Sequence, residues 1–123
     1  MPVSVHSIRA YFECRAQCSA LRIVSIPWLY RGRKVTVIGF LKIQFEENTL
    51  YPFAESAKYY PLTESIWVDV TDEIRLRRNE LNLNYVEITG TFNAMNHGHG
   101  NLFVGTIENI EKVSLVYARP VYP

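Results

Sequence analysis

Two long stretches of alternating apolar and polar residues, each with a glycine near its middle, constrain the fold most. In residues 35–45 every odd position is apolar or glycine, and in residues 85–94 the same is true of every even position. A period of two is typical of a β-strand with one buried face. Both stretches exceed the usual strand length of about five or six residues, and Gly39 and Gly90 stand where glycine weakens a strand. We therefore predict two bent strands in a closed, coiled barrel.

Three shorter strands are predicted around these two. Residues 48–53 follow a turn and should form a hairpin with the first long strand, with Pro52 favouring an edge position. Residues 65–70 alternate and predict a third strand. Residues 102–113 predict the last strand, and Gly105 indicates a bulge in it.

One helix is predicted between the third and fourth strands. Thr71 is a candidate N-cap, and the helix should cover residues 72–81. The order of strand, strand, strand, helix, strand, strand predicts a mainly β fold, the five-stranded Greek-key OB-like barrel. We expect a basic N-terminal extension over residues 1–34, the barrel over residues 35–118 and an extended tail over residues 119–123.

The formal net charge of +1 conceals two regions of opposite charge. The first 34 residues contain six basic side chains and one acidic one, and the remainder contains seven basic and eleven acidic ones. The extension is therefore +5 and the rest −4. Within the extension, residues 26–30 are expected to form a short helical turn that leads into the first strand. A near-neutral chain is not a polyanion binder that works by bulk charge. No apolar run approaches the roughly 20 residues of a membrane span.

Four segments carry a resemblance to known proteins: GRKVTVIGFL (32–41), IWVDV (66–70), YVEITGTF (85–92) and GHGNLF with GTIENI (98–110). Over residues 24–113 the chain resembles a family of short, uncharacterised bacterial proteins with an OB-like barrel. The resemblance implies the barrel, but no activity and no functional residues. Relatives in that family often have a secretion signal, which implies a periplasmic location. Charged side chains interrupt every apolar stretch near this N-terminus, which favours the bacterial cytoplasm.

The outer face of the second and third strands is where such barrels usually bind their ligands. The candidate ligand-binding aromatic residues are Tyr51, Phe53, Tyr59, Tyr60 and Trp67. Rings on this face can stack on nucleobases. However, residues 45–70 contain one basic residue, Lys58, against five acidic ones, so phosphate contacts are missing and nucleic acid is disfavoured. For Trp67 we favour packing beneath the segment 58–64 or beneath the N-terminal extension.

The loop before the last strand contains the one spacing typical of metal ligands, His97-Gly98-His99. His97 and His99 are also candidate ligand-binding residues. With Cys14 and Cys18 they would complete a Cys2His2 site for zinc or copper. We favour the simpler interpretation, in which the glycines form turns and the histidines are solvated or cap backbone groups, and we predict no metal and no cofactor. The two cysteines are expected to be half-buried thiols, four residues apart, a spacing that a disulfide can only just bridge.

No nucleophile, base and acid combination is recognisable, so we do not expect an enzyme. The sequence favours a non-catalytic binding module whose partner is another protein, of the inhibitor or immunity type. The net charge of −4 on residues 35–123 would suit a basic partner. The alternative is an OB-fold module for nucleic acid or a small ligand. In that case the N-terminal cations would follow the phosphate backbone and Trp67 would stack on a base.

Overall fold

The computed structural model describes residues 18–59 and 62–117, in which six strands form one sheet. The strands are β1 (Cys18–Ser19), β2 (Arg33–Gln44), β3 (Glu47–Tyr51), β4 (Ile66–Val68), β5 (Asn84–Asn93) and β6 (Thr106–Leu115). The helices are α1 (Ala20–Ser25), α2 (Ser56–Tyr59), α3 (Asp72–Leu76) and α4 (Arg78–Leu81). Short 3-10 turns lie at Pro27–Leu29, Leu62–Glu64 and His99–Asn101. None of these helices has the length and apolar character needed to span a membrane.

The sheet closes into a five-stranded barrel with one additional strand. Its order is β1-β2-β3-β4-β6-β5, and a further pairing of β2 with β5 closes the ring. β4 and β6 run parallel, while the other barrel neighbours are antiparallel. The predicted mainly β, OB-like barrel is therefore confirmed. The additional strand β1 runs parallel to β2 at Val37 and Ile38.

Strand β2 serves two neighbours, as its length indicated. It pairs with β5 through residues 33–41 and with β3 through residues 40–44, so the change of partner falls beside Gly39. A Cβ atom at Gly39 would lie 2.7 Å from Leu50 Cγ and 2.8 Å from the carbonyl oxygen of Tyr51. Only a residue without a side chain allows β3 to approach this closely. The barrel can close because glycine occupies this position.

The predicted helix over residues 72–81 is interrupted. Thr71 caps its start, and its hydroxyl accepts a hydrogen bond from the Ile74 amide at 3.3 Å. At Arg77 the backbone leaves helical geometry (φ −98°, ψ 15°), so that two short helices replace the single predicted one. The interruption still allows Ile74 and Leu81, which both belong to the hydrophobic core, to be buried.

Two details of the strand predictions are wrong. Pro52 follows β3 instead of lying within it, and β3 is paired on both sides, with β2 and with β4, so it is not an edge strand. The last strand does contain the predicted bulge, but not at Gly105, which precedes β6. The pairs Thr89–Lys112 and Thr91–Glu108 place extra residues in β6, where Asn109 has a φ of 51°. Glycine is required at position 105 by close packing, because a Cβ atom there would collide with the Phe92 ring.

Residues that the sequence placed ahead of the barrel contribute to its core. The core side chains from this segment are Cys18, Ala20, Ile23 and Tyr30. Ser19 caps α1 by accepting a hydrogen bond from the Arg22 amide at 3.2 Å. The 3-10 turn at Pro27–Leu29 agrees with the helical turn expected over residues 26–30 and leads directly into β2.

Replacing Gly39 with alanine should destabilise the protein by about 2–3 kcal/mol, because the new methyl group meets backbone and side chain of β3. Urea denaturation measures this change. Gly32→Ala is the matched control, since Gly32 has a φ of +70° but no atom within 4 Å of the added Cβ. We expect that control to cost about 1 kcal/mol from backbone strain alone. Equal losses in the two variants would contradict the close-packing argument.

Candidate binding surface at the mouth of the barrel

The outer face of β2 and β3 carries a small polar network. The Tyr51 hydroxyl donates a hydrogen bond of 2.5 Å to Glu47 Oε1, and Lys42 Nζ lies 3.2 Å from Glu47 Oε2. Burial of the phenol raises the pKa of Tyr51, and the hydrogen bond and the charge of Glu47 raise it further. Tyr51 is only 2% exposed. This network fixes Tyr51 and neutralises Lys42, so neither is placed to stack on a base or to contact a phosphate.

Trp67 of β4 packs against the loop that joins β5 to β6. Its ring lies 5.2 Å from the Phe103 ring and 6.0 Å from the His99 ring, centroid to centroid, and the His99 ring is stacked at 28°. A Cβ atom at Gly98 would lie 2.5 Å from Trp67 Cβ. Gly98 and Phe103 therefore bring the loop backbone directly onto the indole. Trp67 acts as the platform for this loop.

The two histidines of this loop have different surroundings. His97 Nδ1 lies 2.7 Å from the Phe103 carbonyl oxygen, while the Phe103 amide donates to the His97 carbonyl oxygen at 3.0 Å. His99 is half exposed, and its Nε2 lies 3.8 Å from Glu46 Oε2. His97 therefore joins the two ends of the loop, whereas His99 faces the β2–β3 turn.

Hydrogen bonds within the β5–β6 loop fix its shape. The Met95 amide donates to Asn93 Oδ1 at 2.9 Å, and the Thr106 hydroxyl donates to the Asn96 carbonyl oxygen at 2.8 Å. Asn93 Nδ2 donates to Glu108 Oε1 at 2.9 Å. The β5–β6 loop is thus held by its own polar side chains and by β6.

The remaining aromatic candidates lie in the segment that follows β3. Phe53 is 46% exposed, Tyr59 of α2 is fully on the surface, and Tyr60 lies outside the described residues. The ring contacts of Trp67 are with His99 and Phe103. The predicted aromatic set is therefore divided between a buried tyrosine, a loop-covered tryptophan and an exposed segment after β3.

The Cys2His2 arrangement, which was weighed from the sequence but not favoured, meets a chemical obstacle at Cys18. Cys18 is disulfide-bonded and has no thiolate to offer a metal ion, so the expectation of a free thiol at this position is wrong. Cys14 lies outside the described residues. Within residues 18–59 and 62–117, no three histidine, cysteine or acidic side chains come together as a metal site.

The most exposed aromatic side chain of the barrel mouth was missed by the sequence analysis. The alternating pattern placed Phe45 on the buried face of the first strand, but β2 ends at Gln44 and Phe45 is 92% exposed. Phe45 and Glu46 form a two-residue turn, with Glu46 at a φ of 60°. The acidic pair that follows Phe45 in the sequence was the available signal that the strand had already ended.

Two loops together form what we call the mouth surface, which consists of Phe45, Glu46, Met95, His99 and Leu102. The first two belong to the β2–β3 turn and the others to the β5–β6 loop. Both loops meet at the approach of Glu46 to His99. Phe45, Met95 and Leu102 are all at least half exposed. Three of its five side chains are therefore exposed and apolar, and the other two are a carboxylate and an imidazole.

A cleft of about 450 Å³ opens between Phe45 and the helical segment, which consists of α3 and α4 (residues 72–81). The end of β2 and the β2–β3 hairpin form one wall, with Ile43 and Phe45 among its residues. Arg75 of α3 and Arg78 of α4 form the other wall. This cleft combines apolar and cationic groups at the edge of the mouth surface.

No family model and no solved structure matches the chain. The resemblance to short bacterial barrel proteins accordingly stays a prediction.

The packing of Gly98 on Trp67 can be tested by fluorescence. In a Trp28→Phe background, which leaves Trp67 as the only tryptophan, Gly98→Ala should shift the emission to longer wavelength and increase acrylamide quenching. The reason is that the new methyl group pushes the loop off the indole. Gly100→Ala is the matched control, with a similar φ of +71° but only ordinary contact with Leu102. The same spectrum for both variants would contradict the packing.

The buried Tyr51 phenol predicts a loss of stability at alkaline pH. Its pKa is raised in the folded state, so above about pH 10 the unfolded chain ionises while the folded protein keeps the proton. The free energy of unfolding should therefore decrease with rising pH, and Tyr51→Phe should make the decrease shallower. Urea titrations at a series of pH values measure it. Tyr59→Phe, at an exposed position, should leave the slope unchanged, and the account fails if Tyr51→Phe does so too.

Proposed function

We propose that the protein is a non-catalytic binding module whose target is another protein, in the manner of an inhibitor or immunity protein. The observation that supports this proposal is the exposure of three large apolar side chains on the mouth surface. Phe45 is 92% exposed, Met95 84% and Leu102 50%. The two loops that carry them approach each other at Glu46 and His99. Exposed large apolar side chains on neighbouring loops are typical of a protein-binding site.

The fixed shape of the two loops favours binding. The β5–β6 loop is held by hydrogen bonds and by Trp67, and Glu46 of the two-residue β2–β3 turn approaches its His99 at 3.8 Å. Side chains on a surface that is already ordered lose less conformational entropy when a partner binds. Phe45 at the tip of a two-residue turn has two side-chain torsions to fix, a low cost for its contact area.

The charges near the mouth argue against a nucleic-acid target at this face. Lys42 is paired with Glu47, and Glu46 and Glu108 add negative charge beside the two loops. His99 and Phe103 already contact the Trp67 ring, so a nucleobase would have to displace the loop to stack there. Binding of single strands needs both a cationic path and free aromatic faces.

One observation favours the alternative of nucleic-acid or small-ligand binding at a different place. Trp28, which is 61% exposed, lines a pocket of about 260 Å³ together with Leu29, Arg31 and Arg33 at the start of β2. An exposed indole beside guanidinium groups is a suitable site for a base and its phosphate. This pocket belongs to the basic segment that precedes the barrel.

Site-specific photocrosslinking distinguishes the two functions. The full chain is expressed in its source cells with a photoreactive amino acid at Met95 or, as the control, at Tyr117, which is 80% exposed outside the mouth surface. We expect a discrete crosslinked protein from position 95 that is absent from position 117. Phe45→Ser in the position-95 protein should reduce the crosslink about tenfold, because a central aromatic anchor contributes strongly to affinity.

A different pair of results would overturn the proposal. These are no specific protein crosslink at position 95, together with binding of a short single-stranded oligonucleotide whose affinity falls steeply with salt. Loss of that binding in Trp28→Ala would assign the nucleic-acid function to the Trp28 pocket.

A further inference from the structure

We infer that the cleft beside Phe45 docks an acidic segment of the partner protein, one that presents carboxylates together with an apolar side chain. The inference rests on the proposed function, because it specifies the chemistry that the partner offers at the edge of the mouth surface. It also differs from the basic partner that the overall acidic charge of the barrel suggested. The local charge of the cleft supports this assignment.

The three arginines of the helical segment have unequal surroundings. Arg77 Nε lies 3.0 Å from Glu80 Oε2, and its Nη1 lies 3.9 Å from Glu73 Oε1 and donates to the Val113 carbonyl oxygen. Arg75 and Arg78 both line the cleft, and in the described part of the chain no carboxylate lies within 4.0 Å of either. Residues 72–81 carry three basic and three acidic side chains and are neutral by formal count. The two arginines without a carboxylate partner nevertheless both line the cleft.

Arg78 is held in position for a ligand. Its Nε donates a hydrogen bond of 3.0 Å to the Ile43 carbonyl oxygen, so the guanidinium is anchored at the end of β2. The Ile43 amide donates to Asn82 Oδ1 at 2.8 Å, a second link between β2 and the helical segment. The two walls of the cleft are therefore fixed relative to each other. An anchored guanidinium can bind a carboxylate at a lower entropic cost than a free one.

The other wall supplies an apolar contact and limits the negative charge that the cleft accepts. Phe45 exposes its ring on this wall, to which Ile43 also belongs although it is only 3% exposed. Glu46 is the carboxylate that lines the cleft, and it lies 3.8 Å from His99 Nε2 on the neighbouring loop. Two guanidinium groups against one carboxylate leave the cleft cationic by one charge. An acidic peptide with an apolar side chain matches this combination better than a polyphosphate chain, which has no apolar group for Phe45.

Peptide titration followed by NMR tests the inference on the full, 15N-labelled chain. The probe is a peptide of alternating glutamate and leucine, and the controls are glutamine–leucine and lysine–leucine peptides of equal length. We expect the glutamate peptide to shift the Nε signals of Arg75 and Arg78 and the amide of Phe45, and the control peptides to bind at least about fivefold more weakly. An Arg75→Gln variant should weaken glutamate-peptide binding about fivefold.

Arg75→Gln is chosen because Arg75 is exposed and none of the hydrogen bonds above involves it, so the variant should fold. Arg31→Gln, remote in sequence, is the control and should bind the peptide normally. Equal binding of the glutamate and glutamine peptides, or unchanged binding by Arg75→Gln, would overturn the inference. So would an oligonucleotide that produces the same shifts at Arg75 and Arg78 with greater affinity.

The two proposals can fail separately. A protein crosslink at Met95 without peptide binding at the cleft would leave the protein-binding function standing and remove the acidic segment. The opposite result is peptide binding that depends on Arg75 without any protein crosslink at Met95. It would support the preference of the cleft for carboxylates but contradict the proposal that the partner is a protein.

Discussion

The close approach of β3 to β2 at Gly39 is the contact on which the rest of the structure depends. There β2 leaves β5 and pairs with β3, and a Cβ atom would have no room between the strands. This change of partner closes the ring and carries the end of β2 to the turn at Phe45. It also brings β4 beside β6, so that Trp67 receives the loop that precedes β6. The mouth surface follows from the closure of the barrel.

The charges of the chain are partly neutralised within the fold. Lys34, from the basic N-terminal region, lies 2.8 Å from Glu111 of β6, and Lys42 is paired with Glu47 on the outer face. The Lys34–Glu111 pair is exposed and contributes little to stability, but both pairs occupy cations that a phosphate chain would need. Among the described residues, few charged side chains near the mouth surface remain without an ionic partner, and Arg75 and Arg78 of the cleft are the clearest examples. Net charge therefore says less about the partner than the position of the few unpaired groups.

The sequence predicted the barrel because the physics of the strands is local. Alternation in residues 35–45 and 85–94 indicates one buried face, and a mid-strand glycine indicates a bend. The site was harder to predict, because it depends on contacts between residues distant in sequence. No local pattern shows that Gly98 packs on Trp67, or that Arg77 uses its acidic neighbours and leaves Arg75 unpaired. Phe45 was misplaced because alternation does not show where a strand ends.

The central claim is that closure of the barrel holds the β5–β6 loop in a fixed shape, ready for a partner. Amide hydrogen exchange tests it most directly. The Phe103 amide, which donates to the His97 carbonyl oxygen, and the Trp67 amide, which donates to the Gly105 carbonyl oxygen, should both be protected. We predict that their exchange slows towards the rates of barrel amides such as that of Ile88. Exchange of the Phe103 amide at the rate of an unstructured peptide, while Ile88 stays protected, would contradict the account.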